Sequence, residues 1–273
     1  MMPEPVPDRF SSFFGMYMRF RRCGLLFSEV NMKEIRNILI LTGAGISAES
    51  GIPVFRSETG LWEQHRVEDV ATYEGFMRNR PLVHEFYNRM RRNLFNVRPN
   101  PAHFALARLA NEWKKGSVCL ITQNIDNLHE AAGSGNVIHM HGELMRISCE
   151  SCGAVVDWDK DSSVDTRCPK CGEAAMRPHI VWFGEIPYHM EHIDELLRDC
   201  DLFMSIGTSG VVYPAANFAR MTHALGAYNI EFNLEKSATA GSFDRGIYGK
   251  AGTTLPKFVD SLLKTGNLDF LDR

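Results

Sequence analysis

The segment LTGAGISAESGIPVFRS, residues 41–57, constrains the fold of this chain more than any other feature. It follows the apolar run at residues 38–41. Gly43, Gly45 and Ala48 fit the pattern G-x-G-x-x-[GA], in which a turn between a strand and a helix approaches the phosphates of a dinucleotide. The sequence therefore predicts a phosphate-binding turn behind a buried strand.

The helix that follows these glycines is expected to be short. Gly51 and Pro53 end any helix after about two turns, so Phe55 falls in a loop. A hydride-transfer enzyme would instead continue into a long helix and a second strand. This departure predicts a dinucleotide whose far end is enclosed by a loop.

Short apolar runs bounded by turn residues predict five strands, at 38–42, 118–122, 136–139, 202–206 and 228–232. Helical patterns lie between them, at 81–95, 100–116, 189–200, 213–226 and 255–266. Strands that alternate with helices indicate the α/β class and a doubly wound parallel, Rossmann-like sheet. A smaller inserted domain, part zinc ribbon and part helical, is expected beside it.

The domain boundaries follow from spacing, because about 75 residues separate the first two strands and a crossover needs far fewer. Residues 1–32 are predicted to be a poorly ordered extension, with Met32 as an alternative initiator. Residues 33–273 are predicted to form one unit with two insertions on the same edge of the sheet, which creates a cleft. The large domain is expected at about 33–55, 98–142 and 180–273; the small domain combines a helical insertion at about 56–97 with a ribbon at about 143–179.

Composition narrows the class of protein. The 273 residues are 44% hydrophobic and 23% charged with a net charge of −3, as in ordinary soluble globular proteins. This mild acidity argues against nucleic acid as the main partner, and the absence of an apolar run of about 18 residues argues against a spanning helix. Seven cysteines without a secretory signal favour a reducing, cytoplasmic location.

Four cysteines form the spacing C-x2-C-x15-C-x2-C, namely Cys149, Cys152, Cys168 and Cys171. Two such turns close a tetrahedron of thiolates around zinc, and four thiolates leave no position for water, so the metal is expected to be structural. Two redox disulfides are the alternative. Between residues 149 and 171 five acidic residues outnumber three basic ones, which disfavours a nucleic-acid-binding ribbon.

Polar side chains follow two of the predicted strands. Gln123, Asn124 and Asp126 come after strand 118–122, and His139 and His141 come at the end of strand 136–139. Open α/β sheets bind ligands at this carboxyl edge. Other polar residues of this stretch, Asn127 and Glu130, are interpreted as turn formers or helix caps.

Seven motifs in order along the chain resemble the sirtuins, a family of NAD-dependent protein lysine deacylases, and most of all the bacterial CobB type. They are GAGISAESGIPVFRS, TQNIDNLHE, HMHGEL, the paired C-x-x-C units, VWFGE at 181–185, GTS at 207–209 and NLE at 233–235. The similarity runs from about residue 34 to residue 264.

The resemblance implies that NAD is consumed as a co-substrate and that acyl groups pass from lysine to ADP-ribose, with release of nicotinamide. His141 is then the general base, Asn124 orients ribose and water, and Asp126 holds the carboxamide of nicotinamide. Mono-ADP-ribosyl transfer, an NAD-dependent dehydrogenase and a non-catalytic zinc-ribbon adaptor are the alternatives. The resemblance implies acylated-lysine proteins as partners of a monomeric enzyme.

The resemblance also assigns the remaining site residues. The cofactor-binding set comprises Gly43, Ala44, Gly45, Ser47, Glu49, Phe55, Arg56, Trp62, Gln123, Asn124, Ile125, Asp126, Gly207, Thr208, Ser209, Asn233, Leu234, Glu235 and Ala251. The substrate set comprises Ala71, Tyr87, Met90, Val181, Trp182, Phe183 and Gly184. The last four are expected to receive the peptide by strand addition.

One position departs from the relatives that remove succinyl groups, which carry Tyr-x-x-Arg on the helix after the cofactor loop. This chain reads Tyr87-Asn-Arg-Met90, so methionine stands where the arginine is expected. We expect deacetylation, tolerance of bulky neutral acyl groups and weak desuccinylation. Arg91, four residues after Tyr87, is a candidate substitute for the missing arginine.

Overall fold

The computed structural model of the chain describes residues 34–53 and 65–272. The expectations for residues 1–32, including Met32, lie outside the described residues. The same is true of three of the predicted cofactor-binding residues, Phe55, Arg56 and Trp62.

Nine strands occur within the described ranges: β1 Ile38–Thr42, β2 Val118–Thr122, β3 Ile138–His139, β4 Gly142–Cys149, β5 Val155–Asp157, β6 Met176–Ile180, β7 Leu202–Ile206, β8 Tyr228–Asn233 and β9 Arg245–Tyr248. The helices there are α1 Ala44–Ser47, α2 Val67–Val70, α3 Tyr73–Arg78, α4 Arg80–Leu94, α5 Pro101–Glu112, α6 Leu128–Ala131, α7 Met190–Arg198, α8 Phe218–Ala224 and α9 Ala251–Thr265. None of these helices is long and apolar enough to cross a membrane.

Six strands form one parallel sheet in the order β3-β2-β1-β7-β8-β9, which confirms the doubly wound α/β prediction. Its central strand β1 is buried along its whole length. On one face Leu39 and Leu41 pack with Ile193 of α7 and Phe218 of α8. Such near-continuous apolar strands are typical of a sheet covered on both sides, and their carboxyl ends converge on the loops that carry the site.

The predicted strand bounds hold for β1, β2 and β7, whereas β8 is one residue longer than predicted. Strand β3 begins two residues late because Asn136 has a left-handed backbone, with φ of 52°, and turns the chain there. Strand β9 was not predicted. It is a short edge strand in which three of four residues are exposed, so it carries little apolar pattern.

Helix ends differ from the pattern by four residues or more in three places. Helix α8 begins at Phe218 rather than at residue 213, because a 3-10 turn at Ala215–Asn217 precedes it. Helix α5 stops at Glu112 rather than near Gly116, because Trp113 is extended and its indole donates to the carbonyl of Arg36. Helix α9 begins at Ala251, which places Pro256 inside the helix rather than at its first turn.

The small sheet is antiparallel, in the order β5-β4-β6. Its strands border the cysteine pairs, and Ile147 and Met176 pack with two of the cysteines in a separate small core. A second core joins helices α2 to α4 to this sheet through residues such as Phe76, Tyr87 and Trp182. The prediction of a zinc ribbon beside a helical insertion is consistent with this arrangement.

Candidate active site and metal centre

The glycines of the first turn allow two loops of the large sheet to touch. The amide of Gly45 donates to the carbonyl of Gly207 across 2.9 Å. A methyl group added at Gly45 would lie 2.6 Å from the Cα of Gly207, and one at Gly43 would lie 2.9 Å from the Gly207 carbonyl oxygen. Helix α1 and one 3-10 turn then end at Gly51, whose φ is 89°, so the short helix is as predicted.

Asn124 and Asp126 are tied to the glycine turn by hydrogen bonds. Asn124 Nδ2 donates to the carbonyl of Gly43 and to Ser47 Oγ, both at 3.2 Å. Ser47 Oγ in turn donates to Asp126 Oδ2 at 2.9 Å. Asp126 is buried, and its desolvation raises the pKa of the carboxyl group despite the hydrogen bonds it accepts.

The geometry around His141 defines its protonation state. Its Nδ1 lies 3.1 Å from the carbonyl oxygen of Gln123, and a carbonyl can only accept, so Nδ1 carries the proton. Nε2 is left with its lone pair. Burial lowers the pKa of His141, so the neutral imidazole is favoured.

The pKa of His139 shifts in the opposite direction. Nε2 contacts Glu130 Oε1 at 2.7 Å and Nδ1 faces the carbonyl of Asn124 at 3.3 Å. Burial lowers the pKa of His139, but the hydrogen bond and charge of Glu130 outweigh it, so the net shift is upward. The interpretation of Glu130 as a turn former or cap was wrong, because its carboxylate pairs with this histidine.

The loops after β7 and β8 contribute hydroxyl and amide groups at the same edge. Thr208 Oγ1 contacts Ser205 Oγ at 2.8 Å, and Ser209 is exposed. Asn233 Nδ2 donates to the carbonyl of Thr208 at 2.8 Å, which holds the two loops together. Beyond Asn233, the side chains of two further predicted residues, Leu234 and Glu235, are exposed.

Glu49 lies at the start of helix α9. Its Oε1 accepts from the amide of Gly252 at 2.8 Å, next to Ala251, the first residue of the helix. A carboxylate at this position interacts favourably with the positive end of the helix. In this structure the contacts of Glu49 therefore tie the 3-10 turn at 48–50 to α9.

The segment at 181–184 crosses between the two sheets. The amide of Val181 donates to the carbonyl of His141, and that of Phe183 donates to the carbonyl of Ala71, each at 2.9 Å. The side chain of Phe183 is half exposed, whereas Trp182 is fully buried in the core of the small domain. Gly184 follows with a left-handed backbone, φ of 90°.

Helix α4 presents Tyr87 and Met90 to that core, and Tyr87 is fully buried there. Arg91 is also buried, but it is engaged elsewhere. Its Nε donates to the carbonyl of Leu144 at 2.7 Å, and its Nη1 donates to Asn88 Oδ1 at 2.8 Å. These contacts hold Nε and Nη1 of Arg91 at the junction with the small sheet, so they do not support it as a substitute for the missing arginine.

The four cysteines converge as the spacing predicts. Their Sγ atoms all lie within 4.8 Å of one another, with 3.7 Å between Cys149 and Cys171 and 3.7 Å between Cys152 and Cys168. Thiolates about 2.3 Å from a zinc ion at tetrahedral angles are about 3.8 Å apart. None of the four forms a disulfide. The cluster therefore fits one tetrahedral zinc ion with no open position.

Comparison with known proteins decides the family. The Sir2 family model matches residues 43–214, more than half of the chain. A Leishmania major relative named NAD-dependent protein deacylase SIR2rp3 is 53% identical over 238 residues, which cover 85% of this chain and 98% of the relative. A Vibrio cholerae NAD-dependent protein deacylase is 54% identical over 231 residues, covering 84% and 94%.

This chain belongs to the Sir2 family.

Solved Sir2 structures support the assignment. A crystal structure of a Sir2 homologue in complex with NAD superposes with a TM-score of 0.79 at 36% identity, covering 86% of this chain and 92% of that one. The structure of Sir2Af2 bound to a myristoylated histone peptide has a TM-score of 0.65 at 34% identity, covering 86% and 94%. The polar residues at the carboxyl edge of the sheet fit the NAD that the family uses, because hydroxyl, amide, carboxyl and imidazole groups from the carboxyl ends of five strands lie there.

Sequence reasoning missed a buried network beneath this Sir2 site. Thr42 and Thr122 end β1 and β2, and their hydroxyls are 2.9 Å apart. His129 lies 3.0 Å from Thr42 Oγ1, and its ring packs against that of His103, with centroids 4.9 Å apart. His129 stands inside the TQNIDNLHE motif, so the motif offered a signal, but nothing in the sequence shows that α5 supplies a second histidine.

Proposed function

We infer that the chain is an NAD-dependent protein-lysine deacylase. The family assignment supports this function, and the observation that carries it is His141: a buried, neutral imidazole whose Nδ1 proton is committed to a backbone carbonyl. Its Nε2 lone pair is thereby prepared to accept a proton. A general base needs this combination of a free Nε2 lone pair and a ring that stays neutral.

Bound NAD supplies the ADP-ribosyl group that receives the acyl group, with nicotinamide as the leaving group. We propose that His141 Nε2 accepts the proton of a ribose hydroxyl during that transfer. Asn124, whose amide is fixed by Gly43 and Ser47, orients the sugar. Asp126, buried and bonded to Ser47, holds the carboxamide.

The remaining cofactor contacts are proposed on the same edge. Thr208 and Ser209 would contact phosphate or ribose, and Asn233 and Glu235 the adenosine ribose; the bond from Asn233 to the carbonyl of Thr208 supports placing both loops on one ligand. The loop that contains Phe55 would cover the reacting bond and exclude water. Its residues lie outside the described ranges.

We propose acylated-lysine proteins as substrates. The peptide would add as a strand beside residues 181–184, a proposal supported by the extended backbone link from Phe183 to Ala71 and by the direct bond from Val181 to His141. The acyl chain would lie against Tyr87 and Met90, where an uncharged wall favours acetyl and bulkier neutral groups. A monomer without a nucleic-acid partner is proposed, consistent with the net charge of −3.

We also propose that the zinc is structural and that the chain divides as the sequence predicts, with a small domain made of the helical insertion and the ribbon. Ser162 of the ribbon bonds His84 Nδ1 at 2.8 Å, and its carbonyl accepts from Asn88 Nδ2 at 2.8 Å, which supports treating these two insertions as one domain.

The deciding experiment incubates the full chain with NAD and an acetylated peptide and identifies products by mass spectrometry. We expect free nicotinamide, deacylated peptide and O-acyl-ADP-ribose, and a large reduction in deacylated peptide and O-acyl-ADP-ribose with His141→Ala. ADP-ribosylated protein would instead support a transferase, and NADH absorbance a dehydrogenase. The comparisons support neither of those alternatives.

A further inference from the structure

We propose that His103 and His129 form a directly hydrogen-bonded pair that positions Asn124, and that both are positioning residues for deacylation. The inference rests on the proposed function for the role of Asn124. Both histidines are completely buried, and neither belongs to the cofactor or substrate sets described above.

The tautomer of His129 follows from its neighbours. The hydroxyl of Thr42 donates to Thr122 Oγ1, so its oxygen can only accept from His129 Nε2, 3.0 Å away. His129 therefore carries its proton on Nε2 and keeps a bare lone pair on Nδ1. Within the described residues that Nδ1 is buried and has no hydrogen-bond partner.

The tautomer of His103 follows in the same way. Its Nδ1 accepts from the amide of Asn100 at 3.3 Å, in the capping box at the start of α5. The proton must therefore be on Nε2. That Nε2 is also buried without a partner in the described part of the chain.

One ring thus has an unpaired donor and the other an unpaired acceptor, and the two rings are in contact. Each nitrogen of an imidazole lies about 1 Å from the ring centroid, so a direct N–H···N bond of about 3 Å places two centroids about 5 Å apart. The observed separation is 4.9 Å. The bond is not formed in this structure, where both nitrogens lack a partner among the described residues, and we infer that rotation of the rings closes it. Closing it removes the cost of two unsatisfied buried groups at once.

Closing this bond connects both sides of the site. From His129 the chain of donors runs through Thr42 to Thr122 Oγ1, which also accepts the backbone amide of Asn124 at 3.0 Å. From His103 it runs to Asn100, whose Nδ2 donates to the carbonyl of Ile46 at 2.7 Å and to Ser50 Oγ at 3.0 Å. This chain of hydrogen bonds, called the relay below, therefore fixes the Asn124 backbone relative to the glycine turn. The side chain of Asn124 also binds that turn.

Burial keeps both rings neutral, as the relay requires. Desolvation lowers the pKa of His103 to about 4 and that of His129 to about 3. Neither ring is exposed to ligand, so neither is a catalytic residue. Their contribution to the reaction passes through Asn124.

The first test is nuclear magnetic resonance of the full chain with ¹⁵N-labelled histidine, which reads tautomers without any substrate. We expect Nε2–H for both residues and a scalar coupling between His103 Nε2 and His129 Nδ1. A His129 ring protonated on Nδ1, or absence of that coupling, would overturn the pair. Because no turnover is involved, this result stands apart from whether the chain is a deacylase.

The second test is kinetic. His129→Phe should lower kcat on an acetylated peptide by about ten- to a hundredfold, as expected when a catalytic group is displaced by an ångström or less. His129→Gln, which keeps a donor towards Thr42 and an acceptor towards His103, should restore most of the rate. His84→Phe is the control, since His84 is equally buried but has no contact with this relay. An equal loss of kcat in His84→Phe and His129→Phe, at matched folded fraction, would reduce the pair to a stability role and overturn the positioning claim.

Discussion

Trp182 donates its indole N–H to the hydroxyl oxygen of Tyr87 across 2.9 Å, and both side chains are almost completely buried. This bond joins the helix that carries the proposed acyl-contacting residues to the segment proposed to receive the peptide. It also uses one acceptor position of the Tyr87 hydroxyl, which keeps a proton to donate. Burial raises the pKa of Tyr87 above its ordinary range, so the hydroxyl stays protonated.

The first prediction concerns that bond. Tyr87→Phe leaves the Trp182 N–H buried without a partner, so we expect the free energy of unfolding to fall by about 1–3 kcal/mol. Urea titration measures it. Tyr213→Phe, at a side chain that is 69% exposed, should change stability by less than about 0.5 kcal/mol. Equal effects of the two substitutions would contradict the prediction.

The second prediction concerns acyl selectivity. Met90 presents no charge to an acidic acyl group, so kcat/KM should be higher on acetyl and butyryl peptides than on a succinyl peptide. Met90→Arg should raise succinyl turnover by about tenfold or more, the strength of one charge-assisted hydrogen bond. Met77→Arg adds the same charge at a half-exposed position outside the pocket and should have no such effect. Dominant succinyl turnover by the unaltered chain would refute the proposal.

The third prediction is a pH profile. Deacylation needs neutral His141, and burial places the pKa of His141 below its ordinary 6.5. Protonation is therefore expected to reduce kcat/KM only as the pH falls through a value under 6.5, with a flat profile from there towards pH 8. The activity that remains in His141→Ala should lack this acid limb. A limb centred above 6.5 would show that another group controls the rate.

The fourth prediction concerns the metal. Cys171→Ser removes one of four thiolates, so zinc content measured by mass spectrometry should fall from one ion per chain to a small fraction, and the thermal midpoint should drop. Strand β4 of the small sheet begins at Gly142, directly after His141. Loss of the zinc should therefore also reduce activity. Cys119→Ser, outside the cluster, should retain one zinc. Full zinc content in Cys171→Ser would contradict a four-thiolate site.

The fifth prediction concerns the glycine turn. Gly45→Ala places a methyl group 2.6 Å from the Cα of Gly207, and neither backbone can move without breaking their shared hydrogen bond. We expect a loss of about 1–3 kcal/mol in stability and a raised KM for NAD. Gly135→Ala meets nothing within 4 Å and serves as the control. An unchanged KM in Gly45→Ala would show that the turn tolerates displacement.

The local sequence pattern was sufficient to predict the strands that are buried along most of their length. Strands β1, β2 and β7 are mostly apolar, with Ser205 inside β7 and a threonine at the end of β1 and β2. Their bounds were predictable because a strand covered on both faces carries few polar positions. The metal ligands were equally predictable, since the spacing within each C-x-x-C pair already places two thiolates in one turn. Strand β9 escaped prediction because its edge position leaves most of its side chains in water.

Residue type could not reveal partners that come from distant segments. In the sequence His139 and His141 look equivalent, because both lie at the end of the same strand. In the structure His139 contacts Glu130 and His141 contacts the carbonyl of Gln123. The pKa values of the two imidazoles therefore shift in opposite directions. From the local sequence Glu130 is interpreted as a helix cap, but its carboxylate contacts His139 across a loop. Arg91 lies on the same helix face as Tyr87 by spacing, but the carbonyl of Leu144 engages its guanidinium.

The sequence by itself determined the parallel sheet, the thiolate cluster and the family, because each depends on short-range spacing or on ordered motifs. Only the tertiary structure decided which protons the buried histidines carry, since a tautomer is set by the donor or acceptor that another element brings within about 3 Å. The contact between His103 of α5 and His129 of α6, 26 positions apart in the chain, exists only once those helices pack beneath the site.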